Sequence, residues 1–151
     1  MRIKEEIFDK LVKDNPIEAP EGMVKSELKF MLEGMKFQIE QSGMKLEDSG
    51  FDEEKAKDEW HDKAESNCKG YLLLENIASL EDIHVSQFDL EEEFKSLASQ
   101  SKQESDDVKN RMMANPEVIK HTSSKILGRK ALDFIYSNCE FEFVKTLTEK
   151  K

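Results

Sequence analysis

Residues 53 to 78 read EEKAKDEWHDKAESNCKGYLLLENIA. No Pro interrupts the stretch. Ala56, Trp60, Ala64, Cys68, Tyr71, Leu74 and Ala78 recur every three or four positions, the spacing of one helix face. The first half is otherwise charged, so only a narrow stripe of it can be buried. The second half, Tyr71-Leu72-Leu73-Leu74 with Ile77 and Ala78, is apolar nearly all round and calls for enclosure by other elements. One helix therefore begins in solvent and ends in the core. At about 1.5 Å per residue it spans roughly 39 Å. A compact chain of 151 residues has a radius of gyration of only about 15 Å. The expected shape is elongated, with a projecting half.

Working outward, charged residues and hydrophobic residues each make up 37% of the chain, with 3 Pro and 6 Gly. Segments rich in Lys, Glu, Leu and Ala, with few breakers, point to an all-α chain; its length permits one or two small domains, and the expectation is a single one over 1–151. The formal net charge is −10, which argues against a nucleic-acid partner, since phosphate contacts need clustered Lys and Arg. It disfavours anionic membranes for the same reason. Such acidity ordinarily serves solubility; the other reading is complementarity to basic client segments. Cys68 and Cys139 make no disulfide framework and fit a reducing compartment, hence the cytoplasm. The N-terminus lacks the apolar core of a signal peptide, and no apolar run approaches the length needed to span a bilayer.

Flanking the long helix, residues 2–14 form a helix with Ile3, Ile7, Phe8, Leu11 and Val12 on one face. Its pattern is in full swing by residue 3, as though sequence upstream were missing. Asn15-Pro16 ends it. A second helix over 23–41 carries Val24, Leu28, Met31, Leu32, Met35 and Ile39 on one stripe, with Phe30, Phe37 and Met23 near the opposite side. Two apolar faces mean either burial between two layers or one face left open. Gly43 and Gly50 punctuate the loop before the long helix, which is expected over 53–79. Ser86 with Asp89 reads as the cap of a helix over 87–99, with Leu90, Phe94, Leu97 and Ala98 inward. Ser105 caps a short helix over 106–114. Asn115-Pro116 starts a helix over 116–137, within which Gly128 costs about 1 kcal/mol relative to Ala and permits close packing. Residues 139–144, CEFEFV, alternate apolar and charged residues and suggest an extended tail docked on the helices. Residues 145–151 are expected to fray.

A search for chemistry comes up empty. His61, His84 and His121 stand in unrelated contexts, and no zinc or P-loop spacing is present. Glu59-Trp60-His61-Asp62 reads as a solvated helix face, because neighbours one or two apart point in different directions. No nucleophile elbow occurs, and the carboxylates are not paired in an apolar setting. The expectation is no enzyme, no cofactor and no metal. What stands out is surplus apolar side chain. Met23, Met31, Met35 and Met44 are interleaved with Phe30 and Phe37, and Met112 and Met113 sit in the short helix. Core filling is the commoner use of any one Met, but Met also adapts to many partner shapes. These eight residues are the candidate client-binding set.

The order of segments resembles the carboxyl-terminal, substrate-binding domain of trigger factor. The stretches that carry the resemblance are RIKEEIFDKLVKDNPIEAPEGM (2–23), AESNCKGYLLLENI (64–77), SQFDLEEEFKSLA (86–98) and ILGRKALDFIYSNCEFEF (126–143). The resemblance implies an elongated, non-bundle helical domain with arm-like protrusions, similar also to the core of the periplasmic chaperone SurA. It implies an ATP-independent holdase that cradles unfolded or nascent polypeptides in the cytoplasm. Chaperone activity, protein folding and a link to cell division go with the family. The ribosome-binding and prolyl isomerase domains of that family have no counterpart in these residues, so neither ribosome docking nor isomerase catalysis carries over. The alternative is a helical dimerisation or adaptor module that binds one folded partner, with a homodimer as one form of it.

Overall fold

A computed structural model describes residues 2–140. Six α-helices follow in order: α1 (Arg2–Asp14), α2 (Glu21–Gln41), α3 (Glu53–Leu80), α4 (Gln87–Ser101), α5 (Ser105–Met113) and α6 (Pro116–Asn138). A single 3-10 turn, Leu46–Asp48, lies in the loop between α2 and α3. No strand occurs among the described residues, and the chain is all-α as its composition requires. The CEFEFV tail falls mostly outside the described residues, as does the stretch after it.

The caps follow from the sequence. Asp52 accepts a hydrogen bond from the Lys55 amide at 3.1 Å and starts α3. Ser86 and Asp89 form a reciprocal capping box on α4. Asn115 accepts from the Glu117 amide at 3.1 Å, with Pro116 in the first turn of α6. Three boundaries differ from expectation by more than a residue or in their cap. α2 begins at Glu21, not at residue 23, with Pro20 before its first turn. The polar run after residue 98 reads as a joint, yet α4 continues to Ser101, whose hydroxyl donates to the Leu97 carbonyl at 2.8 Å and is buried. The helix stops one residue later, where Lys102 turns left-handed at φ 53°. Glu104, not Ser105, then occupies the cap position of α5, and its side chain makes no capping bond.

Three small cores replace one large one. Val24 of α2 packs with Ala64 and Cys68 of α3, joined by Leu28 and Met31. Leu74 and Ala78 of α3 pack with Ala131 of α6, covered by Phe8 and Leu11 of α1. Phe94, Ala98, Val108 and Met112 unite α4 and α5, with Val118 and Ile119 of α6 beneath them. The amino-terminal half of α3 thus forms an arm with α2. The α4–α5 pair forms a second with the start of α6. The later halves of α3 and α6, with α1, make the body that joins them.

Burial is thinner than the apolar end of α3 suggests. Leu74 and Ala78 are fully buried, but Tyr71, Leu72, Leu73 and Ile77 keep part of their surface in water, because α1 and α6 do not surround the helix completely. The accessible surface is 11518 Å², whereas a compact monomer of 17.5 kDa exposes roughly 7900 Å². The elongated shape follows from dividing the apolar residues among three cores.

Of the two glycines inside the long helices α3 and α6, Gly70 is required by a close approach and Gly128 is not. A Cβ on Gly70 would lie 2.0 Å from Cζ of Phe8, so α1 rests its ring directly on the α3 backbone. A Cβ on Gly128 would meet Tyr71 at 3.4 Å, ordinary contact.

One polar clamp fixes the α3–α4 corner. Lys130 Nζ donates to the His84 carbonyl at 2.7 Å and to Asp89 Oδ2 at 2.8 Å. The hydrogen bond from Lys130, followed by those from the Ser86 amide and hydroxyl, lowers the Asp89 carboxyl from 3.8 to about 2. A carboxylate depressed on folding stabilises the fold above its unfolded pKa, and that stabilisation is lost as pH falls from about 4 toward 2. Lys130→Met should therefore flatten the acid limb of stability in that window, leaving a curve that falls less between pH 4 and 2 than the parent's. Urea unfolding at stepped pH measures it.

Candidate functional site

Between the two arms lies a cleft of about 330 Å³. Met23, Glu27 and Phe30 line it from α2, Cys68 and Tyr71 from α3, and His121 from α6. Helical spacing explains the placement. Met23, Glu27 and Phe30 are three or four apart and share a face of α2, as Cys68 and Tyr71 do on α3.

Glu27 is the polar centre of this cleft. The residue is 5% exposed. Its Oε1 accepts from Asn67 Nδ2 at 2.9 Å, and its Oε2 lies 2.8 Å from His121 Nε2. The imidazole also stacks on Phe30, with ring centroids 3.8 Å apart and planes at 19°. Burial pushes the Glu27 carboxyl up, but the hydrogen bonds from His121 and Asn67 outweigh it and hold the group below its ordinary 4.5. Burial, reinforced by Glu27 and Glu65, raises the Cys68 thiol to about 11. Burial likewise raises Tyr71 to about 12, with Glu27 adding to it. A thiol held so far above neutrality is a poor nucleophile. The cleft therefore combines apolar surface with the bonded Glu27 carboxylate, and Glu75, Glu117 and Lys120 add charge to its lining.

The eight residues singled out from the sequence part company here. Met23 and Phe30 line the cleft, both half-buried. Phe30 does not form an open face, because His121 of α6 covers its ring. Met31 packs on the α2–α3 core and Met35 is half-buried. Met112 is 9% exposed and belongs to the α4–α5 core, which takes it off the surface. Phe37, Met44 and Met113 are exposed, at 37%, 49% and 57%. Leu46 joins Phe37 and Met44 toward the far end of the α2–α3 arm.

Sequence reasoning passed over Leu46, Leu80, Phe88 and Tyr136, all of which are exposed, and helical spacing put Phe134 on the inner face of α6, where the ring is in fact exposed at 37%. Phe88 was legible. It falls out of phase with the inward stripe of Leu90, Phe94 and Ala98, so it had to face water. The Glu27–His121 pair was not legible, since the partners are 94 residues apart.

On the outer face of α3, His61, Asp62 and Glu65 have ligand atoms within 4.8 Å of one another. Glu65 is already engaged by Lys69 at 2.7 Å. His61 and Asp62 are exposed, in keeping with a solvated charged face. Among the described residues no helix is long and apolar enough to cross a membrane.

A family model described as bacterial trigger factor protein (TF) C-terminus matches residues 1–137. The trigger factor of Geobacter metallireducens is 34% identical over 141 residues, covering 91% of this chain and 33% of that protein. The trigger factor of Koribacter versatilis is 34% identical over 135 residues, with 89% and 31% covered. That of Staphylococcus epidermidis is 30% identical over 142 residues, with 91% and 32% covered. No solved structure matches the chain. The chain spans about a third of the length of these relatives. With six helices, two arms and an intervening cleft among its described residues, the chain belongs to the trigger factor carboxyl-terminal family, a chaperone family.

Proposed function

We propose that residues 1–151 act as a single helical unit of an ATP-independent chaperone. It is a non-catalytic holdase that shields apolar segments of unfolded or nascent polypeptides in the cytoplasm. The observation that carries this reading is the exposure of Phe37, Met44 and Leu46 on one arm and of Met113 at the end of α5, with an apolar-floored cleft between the arms. Large apolar groups left in water on separate protrusions favour weak contacts at several points along one client. Weak sites on one chain add through effective concentration, so each need bind only modestly.

The test is suppression of aggregation of a chemically denatured client by light scattering. Phe37→Ser with Met44→Ser should roughly halve the protection, with far-UV circular dichroism unchanged because neither side chain belongs to a core. Phe30 is unsuitable for this test, since replacing it also removes the His121 stack. Equal protection by parent and variant would remove the α2–α3 arm from the client surface. A tight dimer that protects no client would favour the adaptor reading instead.

A further inference from the structure

α1 is seated lightly for a helix that closes a core. None of its residues is fully buried. It lies on α3 and α6, with Phe8 resting on Gly70 and, together with Leu11, on the core of Leu74, Ala78 and Ala131. Gly70 and these three core residues are themselves buried. A cavity of about 540 Å³ opens beside the first half of α1, lined by Lys4 and Phe8 of α1, Lys63 and Asn67 of α3 and Leu132 of α6. Among the described residues one ion pair ties α1 to the other helices, Lys4 to Asp133, and Lys4 Nζ also lies 5.5 Å from the centre of the Tyr136 ring. The remaining side-chain bonds, Arg2 to Glu6, Lys10 to Asp14 and Asn15 to the Leu11 carbonyl, stay within residues 2–15 and travel with the helix. Residues 15–20, with Pro16 and Pro20, form no helix, and Ala19 is packed on the α2–α3 core. α1 therefore hangs from a short non-helical link and can lift without unwinding any other helix.

We propose that the groove under α1, walled by α3 and α6 and notched at Gly70, is a receptor for amphipathic helices of client chains, with α1 as its resident occupant. The seat defines the guest. It takes an aromatic ring at the Gly70 notch, a Leu three residues on, and a Lys one turn ahead of the ring to reach Asp133, the pattern that Lys4, Phe8 and Leu11 supply. The inference rests on the chaperone reading for the source of such helices, but it uses none of Phe37, Met44 and Met113.

The probe is a fluorescein-labelled helical peptide of 13 residues, the length of α1. It is built of Glu, Lys and Ala, with Lys, Phe and Leu at the spacing of Lys4, Phe8 and Leu11. Binding to the full chain is read by fluorescence anisotropy, and the site by hydrogen exchange. While α1 holds the groove, the apparent affinity is reduced to the fraction of molecules whose groove is empty. Phe8→Ala loosens α1 and leaves the groove intact, so it should tighten binding roughly tenfold, and Lys4→Ala should tighten it less. Gly70→Val also frees α1 but fills the notch, so it should bring no gain. A peptide with Ala in place of its Phe should bind roughly tenfold more weakly. In the parent, bound peptide should speed exchange at residues 2–14. Binding without that change, an equal gain in Gly70→Val and Phe8→Ala, or no binding to Phe8→Ala would overturn the groove. If Phe8→Ala does not fold, exchange in the parent and the peptide lacking Phe decide the matter. A dimer held by exchanged α1 helices, seen by light scattering and lost in Phe8→Ala, would give the groove to a second copy and overturn the client reading. Phe37→Ser with Met44→Ser should bind the peptide as the parent does, so failure of the arm surface and failure of the groove are told apart.

Discussion

His121→Ala should lower the unfolding free energy by about 3 kcal/mol, with Trp60 fluorescence in urea as the measurement. The truncation removes two contacts at once. The stack on Phe30, at 3.8 Å, is lost, and such ring pairs contribute about 0.5–1.5 kcal/mol beyond burial. Glu27 Oε2 also loses its 2.8 Å partner in a site where the residue is 5% exposed. A hydrogen bond to a charged group is worth about 1.5–3 kcal/mol, and an abandoned buried carboxylate adds its desolvation cost. The pH dependence has a defined sign. Glu27 is depressed below 4.5 in the folded protein, so its contribution is complete above 4.5 and disappears as pH falls through the lower folded value. The gap between parent and variant should therefore be widest near neutrality and narrow in acid. Adding Glu27→Gln to His121→Ala should recover part of the loss, because a neutral amide costs less to leave unpaired. Simple additivity of the two substitutions would show that the residues do not interact.

Gly70→Val should cost about 3 kcal/mol and detach α1 from α3, with the largest changes in hydrogen exchange at Arg2–Asp14. A Cβ at this position would stand 2.0 Å from the Phe8 ring, well inside contact distance, and Val adds two methyl groups beyond it. Because α1 has no fully buried residue and is held on α3 and α6 by half-buried side chains such as Phe8 and Leu11, displacing the ring weakens the hold of the whole helix. Helix propensity works in the opposite direction, since replacing Gly by Ala within a helix gains about 1 kcal/mol. Gly70→Ala should therefore be milder than Gly70→Val, and Phe8→Ala should relieve both. Gly128→Ala is the contrasting case. Its Cβ meets Tyr71 at 3.4 Å, which needs little adjustment, so that variant should be neutral or slightly more stable. Equal destabilisation at the two glycines would mean that the Phe8 contact is not the cause.

The helices were legible because their signals are local. The Ser86–Asp89 box and the Asn115-Pro116 start lie within a few residues of the turns they fix. Of the stripe on α3, Ala56, Ala64, Cys68, Leu74 and Ala78 are buried, while the larger Trp60 and Tyr71 keep part of their surface in water. The site was only partly legible. Phe30 and Phe37 lie on the same side of α2 by periodicity, yet one is capped by a histidine from α6 and the other faces water. Periodicity assigns a face to a residue but does not say how far a neighbouring helix extends along it. Met112 and Met113 show the same limit at adjacent positions, one in a core and one exposed. The buried Glu27 was invisible for another reason. A carboxylate on a helix reads as solvent-facing until its distant partners are known.

The α4–α5 pair rests on the remainder through α6, and its core shares no fully buried residue with the other two. Melting of that lobe need not carry the α2–α3 arm with it. Equilibrium denaturation should depart from a single all-or-none step, giving a broad transition whose midpoint depends on the probe. In a molecule assembled in this way one protrusion can loosen while the rest stays folded.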